Sequence, residues 1–219
     1  LQFRLALLIS MLVHVVAFWK LARLFWGSTR PKLAYVSSAL FVILTSIPTF
    51  EGLIVNAELL MMLPVTLSLL LVWKAPTTNW GRYLLAGLVA GIGWLYKIPV
   101  MFDVLAIALY LFVFRPTKFW ASLKGLLKPA LWLYLIGFAI PLAMTFAYHY
   151  LKGHGSDYLA TVLTVNLSYV SSAATNSWTF DPFKSGLVVR GTILAGFTLL
   201  VYLLRNKMNK RLVLVCLWL

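Results

Sequence analysis

Apolar runs of membrane-spanning length recur along this chain, separated by short gaps that hold most of its basic residues. The hydrocarbon core of a bilayer is about 30 Å thick and takes about 20 residues of helix at 1.5 Å each. Seven stretches are candidates: 3–25, 33–50, 53–73, 83–96, 98–114, 129–150 and 186–204, with the start of an eighth at 212–219. Only 11% of the residues are charged and 62% are hydrophobic, against about 25% charged in ordinary soluble domains. Too little polar surface remains to cover a water-soluble core of this size. The pattern predicts an all-α, polytopic transmembrane helical bundle, a single transmembrane domain over 1–219 with one long polar connection at 151–185.

The formal net charge is +14, a value that in a soluble domain would suggest nucleic acid. Here the basic residues lie between apolar runs rather than along one polar face, which is the signature of membrane topology. With residue 1 outside and one crossing per span, 14 Lys and Arg fall on the cytoplasmic side, among them Lys20, Arg23, Lys74, Arg82, Lys128 and Arg205. Five (Arg4, Lys97, Lys152, Lys184 and Arg190) fall toward the outside. All five acids, Glu51, Glu58, Asp103, Asp157 and Asp181, lie on or near the outer side as well. The spans at 83–96 and 98–114 are short and meet near Pro99, so they read either as two tilted crossings or as a re-entrant hairpin buried in protein. Gly87 and Gly91 form a small-xxx-small pair suited to close helix contact. Pro64 and Pro141 fall within spans and are expected to kink them. The single cysteine, Cys216, permits no internal disulfide.

Ionisable side chains inside apolar segments are costly and face a cavity or a partner. Glu58 is the strongest example, near the outer end of the third span, with Asn56 close by and Glu51 about two helical turns before it. Two carboxylates and an amide can hold a hard divalent cation such as Mg or Mn, or the hydroxyls of a sugar. Equally, a glutamate suits the start of a helix because of the N-terminal dipole. Lys97 ends the fourth span and Arg190 enters the seventh. Each can snorkel to the interface or hold a phosphate. Asp103 follows Lys97 by six residues, about 240° around an ideal helix, so the spacing gives no reason to pair them. His14, buried in the first span, predicts a hydrogen bond between helices rather than catalysis. In the 151–185 connection, Ser156 or Asp157 is placed to cap a short helix through Leu163, and Asn166-Leu167-Ser168 matches a glycosylation acceptor.

Taken together, Phe3-Arg4-Leu5, Glu51-Gly52, Asn56-Ala57-Glu58, Met62-Leu63-Pro64 and the glycine-rich run from Ala86 to Gly91 ending in Tyr96-Lys97 resemble the GT-C membrane glycosyltransferases. The resemblance is to the bacterial branch related to protein mannosyltransferases and the lipid A aminoarabinose transferase. The outer connection, with Gly153 to Asp157 and Asn166 to Tyr169, fits that branch too. The resemblance implies transfer of a sugar from a polyprenyl-phosphate donor to a lipid, protein or glycan acceptor, at the outer face of the cell membrane and usually with inversion. It implies Glu58 as the second acidic site, near metal or acceptor, and a ligand where a divalent metal takes part; Glu51, from its spacing to Glu58, is the other catalytic candidate. It further implies Lys97, and more weakly Arg190, as donor-phosphate contacts; Asn56 and Asp103 are the candidates for acceptor or sugar binding. The sequence opens at Leu1 without Met and stops inside an apolar run, which reads as an internal piece of a longer chain. On that reading the family's first-loop catalytic Asp precedes Leu1. Competing classes are a secondary transporter or lipid flippase, and a non-catalytic membrane scaffold. No internal repeat supports a transporter, and the acids gather at one face rather than at the midplane.

Overall fold

The computed structural model describes residues 2–27, 30–46, 57–74, 79–113 and 129–162, together with isolated helical positions at 196, 199–200 and 203–204. Among the described residues the chain is entirely helical: α1 (Gln2–Trp26), α2 (Pro31–Ser46), α3 (Ala57–Lys74), α4 (Trp80–Tyr96), α5 (Val100–Val113), α6 (Pro129–Leu151) and the short α7 (Gly155–Ala160). Two of them, over Arg4–Trp26 and Pro129–Leu151, are long and apolar enough to cross a bilayer. The helices over Pro31–Ser46, Leu59–Lys74 and Val100–Phe112 are apolar but shorter. The 14 residues of α5 rise about 21 Å, well short of the bilayer core. The expected span at 186–204 is helical where it is described, and 212–219 lies outside the described residues.

The chain divides within α6 into two compact units, one comprising Leu1–Leu142 and one beginning at Ala143. In the first, α3 is the central helix, packed against α1, α4 and α5. Its Leu59, Val65, Thr66, Ser68, Leu69, Leu70 and Val72 are buried, so it is enclosed almost all round. By contrast α1 and α2 bury one narrow seam each. Leu7, His14 and Ala17 line it on α1, and Ala34, Ser38 and Phe41 on α2. Their other faces expose Leu5, Leu8, Leu12, Val16, Val36, Leu40, Ile43 and Leu44. An apolar surface of that extent is unstable in water and natural in lipid.

With no hydrophobic drive between helices in lipid, small residues and hydrogen bonds hold them together. His14 Nε2 meets Thr66 Oγ1 at 2.9 Å and ties α1 to α3, as its position in the first span predicts. The Phe18 and Phe41 rings stack at 4.4 Å, and Trp26 Nε1 donates to Ser37 Oγ at 3.1 Å, joining α1 to α2. The Gly87–Gly91 pair meets α6. A methyl group on Gly87 would run into the Tyr134 carbonyl and lie 2.8 Å from the Phe138 nitrogen. One on Gly137 would run into the Leu84 carbonyl. The two backbones therefore touch where neither has a side chain.

In the second unit, α6 ends at a turn through Gly153, whose φ of 80° lies in the left-handed region favoured by glycine. The following helix has a cap other than the expected one, and helical structure continues through residue 162, with Leu163 outside the described residues. His154, rather than Ser156 or Asp157, occupies the N-cap and makes no side-chain cap bond. Asp157 lies in the first turn, where its charge suits the dipole. The helix folds back on α6, with the Tyr158 ring stacked on His149 at 4.6 Å and tilted against Phe146 at 6.5 Å.

Candidate active site at one end of the α3–α4 hairpin

Two contacts show that α3 and α4 run antiparallel. At one end, Arg82 near the start of α4 donates from Nη1 to the Lys74 carbonyl at the end of α3, at 2.9 Å. At the other, a methyl group on Gly93 would lie 3.2 Å from Pro64 Cβ and 3.6 Å from Val100 Cγ1. The start of α3, the end of α4 and the start of α5 are therefore neighbours. The lack of a side chain at Gly93 lets the Pro64 ring approach.

Three of the sequence-predicted site residues belong to these segments. Glu58 is the second residue of α3, Lys97 is the C-cap of α4, and Asp103 lies in the first turn of α5. Lys97 leaves the helix in an extended conformation, with φ −158° and ψ 131°. Its N–H donates to the Gly93 carbonyl at 3.3 Å, and its carbonyl accepts from Val100 N–H at 3.3 Å. Met101 and Phe102 N–H groups donate to the Ile98 and Pro99 carbonyls at 2.9 Å each. Proline forbids continuation of α4 but starts α5 well. The result is a turn of three residues that sets Lys97 and Asp103, both half-buried, on consecutive helices. Glu51, Asn56 and Arg190 lie outside the described residues, as does Asn166.

Aromatic side chains frame the turn. Trp94 is largely buried, T-shaped against Phe138 at 6.4 Å, and its indole N–H has no hydrogen-bond partner among the described residues. Tyr96 and Phe102 on either side are exposed. Such amphipathic rings favour the boundary between lipid and water. Among the described residues no three His, Cys, Asp or Glu side chains gather at one point.

Two residues with no obvious motif were missed by sequence reasoning: Ser68 on α3 and Tyr134 on α6, both sealed in the bundle. A serine and a tyrosine inside apolar helices carry no spacing signal of their own.

A profile of the dolichyl-phosphate-mannose-protein mannosyltransferase family matches residues 1–149. The chain belongs to that family. The match covers α1 to α5 and nearly all of α6, including Glu58, Lys97 and Asp103. It makes the protein a membrane glycosyltransferase of the GT-C type. Searches of curated proteins and of solved structures found no match.

Proposed function

We propose that this protein transfers a sugar from a polyprenyl-phosphate donor to a lipid, protein or glycan acceptor, at the extracytoplasmic face of the cell membrane. The observation that carries the reading is the family match over a segment in which Glu58, Lys97 and Asp103 belong to helix ends that meet near Gly93, while Lys74 and Arg82 share the opposite end of the α3–α4 hairpin. That division follows the positive-inside rule if the Lys74–Arg82 end is cytoplasmic.

The chemistry needs two kinds of group. The bond from the anomeric carbon to the phosphate oxygen breaks, and its electron pair leaves with the phosphate. A cation beside that oxygen stabilises the growing charge, and Lys97, with Arg190, takes this role. On the opposite face the acceptor hydroxyl attacks the anomeric carbon and gives its proton to a carboxylate, so the configuration inverts. Glu58 serves as that base or orients the acceptor, with Glu51 beside it in sequence. General-base help of this kind contributes about 10²–10⁴-fold. Asn56 and Asp103 offer hydrogen-bond partners for sugar hydroxyls.

The test is sugar transfer from a panel of radiolabelled polyprenyl-phosphate sugars, in membranes carrying the full-length protein or its Glu58→Gln variant. Transfer from one donor, reduced by about 10²-fold or more in Glu58→Gln with insertion unchanged, supports the reading and names the sugar. No transfer from any donor by inserted, folded protein favours a transporter or flippase, and flux measurements follow.

A further inference from the structure

The first fifty residues hold five Lys and Arg and no Asp or Glu. Four of those cations, Lys20, Arg23, Arg30 and Lys32, stand at the corner where α1 gives way to α2, and all four are exposed. Among the described residues none of them has an ion pair. Glu51, the first acid of the chain, comes after the far end of α2 in the sequence, and the 16 residues of that helix rise about 24 Å. At the α3–α4 corner the Arg82 guanidinium is taken up by the Lys74 carbonyl. At the α1–α2 corner the Arg23 guanidinium instead lies over the Trp19 ring, 5.0 Å from its centre.

Trp19 also meets Tyr35 of α2, with ring centres 6.2 Å apart, and Tyr35 is exposed. The two rings therefore bridge the helices on their outer side. The face of α1 that carries Trp19 continues through Val16 and Leu12, and the face of α2 that carries Tyr35 continues through Ala39 and Val42. All four of these residues are exposed. The helices run antiparallel, because Trp26 bonds Ser37 near the corner and Phe18 stacks on Phe41 farther along. Both apolar strips thus lead away from the corner in the same direction. Together they make an apolar seam that ends on cations, which complements a molecule with an anionic head and hydrocarbon tails.

We infer that the α1–α2 corner binds an anionic phospholipid, with its phosphate on Arg23 and Lys32 and an acyl chain along the Trp19–Tyr35 seam. An arginine holds a phosphate bidentately, and the Trp19 ring holds the guanidinium in place before the lipid arrives. Lys32 stands one turn nearer the corner than Tyr35, and Lys20 and Arg30 add to the local positive charge. The helix dipole does not account for Lys32, which lies at the positive end of α2. The positive-inside rule accounts for the sign of the charge but gives it no ligand. A soluble anion would use the cations and leave the apolar seam unused, whereas a phospholipid uses both. The inference rests on the chain's place in a membrane and does not depend on the transferase reading.

Photo-crosslinking tests it on the full-length protein in phosphatidylcholine nanodiscs. The probes are phosphatidylglycerol and phosphatidylcholine carrying the same photoreactive acyl chain, and captured peptides are mapped by mass spectrometry. Peptides of α1 and α2 are expected to capture the phosphatidylglycerol probe several-fold more than the phosphatidylcholine probe. Arg23→Gln and Lys32→Gln should each lower that preference by about fivefold, the share of one basic residue near an anionic surface. Arg82→Gln makes the same change in charge and should leave it unaltered. Equal capture of the two probes by the unmodified protein would overturn the site, whether or not the variants fold. So would an equal loss in Arg23→Gln and Arg82→Gln, which would reduce the effect to overall charge. Abolition of capture by excess inorganic phosphate would make this a site for a free anion and overturn the lipid assignment.

Discussion

The two ends of the α3–α4 hairpin are built from similar material and used differently. At the Lys74–Arg82 end, polar groups close the backbone. Asn79 Oδ1 accepts from Arg82 N–H at 3.3 Å as a helix cap, and the Arg82 guanidinium covers the last carbonyl of α3. At the Glu58–Lys97 end, the backbone closes on itself through the Lys97–Pro99 turn. There the Lys97 N–H and carbonyl are both taken up by backbone, on Gly93 and Val100. The comparison teaches that a basic residue at a helix end is structural where it covers carbonyls. It becomes a site candidate where the turn is already satisfied.

The harshest way to break the comparison is to separate the helices that carry both ends. Gly87→Leu would drive a side chain into the Tyr134 and Phe138 backbone. Its expected cost exceeds the roughly 1–3 kcal/mol of ordinary overpacking, because backbone cannot repack. Loss of the monodisperse folded peak after detergent extraction checks it. A well-folded Gly87→Leu protein would mean that α4 and α6 do not touch there.

Next in size is a contrast between the two basic residues. Lys97→Ala is expected to weaken donor binding by about 1.5–3 kcal/mol, the range for a hydrogen bond to a charged group, with acceptor binding unchanged. Arg82→Ala should leave donor binding alone and cost stability of only about 0.5–1.5 kcal/mol. Titration of each variant with a polyprenyl-phosphate sugar, beside its unfolding curve, decides between the roles. Equal losses of donor affinity would erase the distinction between the ends.

The smallest effect sharpens the structural end alone. Asn79→Ala removes the cap of α4 and should cost about 1 kcal/mol of stability, with sugar transfer per folded molecule unchanged. A transfer defect at constant folded fraction would show that the capped end also serves catalysis.

Much of the fold was legible in the residues. Spans read at 3–25 and 129–150 correspond to α1 and α6, because uninterrupted apolar length admits few other structures. The interhelical role of His14 was legible too, since an imidazole in lipid must find a partner. The cap of α7 was not. Ser156 and Asp157 both have cap-forming side chains, but the Gly153 turn and the stacking of Tyr158 on His149 place the helix start at His154. Glu58, Lys97 and Asp103 were legible as charges in or beside apolar segments, although nothing in their spacing joins them.

By itself, the sequence determined that this chain belongs in a membrane, that it is helical, and that its acids and bases separate along the chain. Those properties follow from solvent preference, which each segment expresses locally. Tertiary structure alone decided that Pro64, Gly93 and Val100 meet, and with them the ends of three helices. It also decided that Ser68 of α3 and Tyr134 of α6 are sealed inside the bundle. Contacts between distant helices depend on shape at the seam, where a missing side chain admits a neighbour, and apolar periodicity does not encode which neighbour that is.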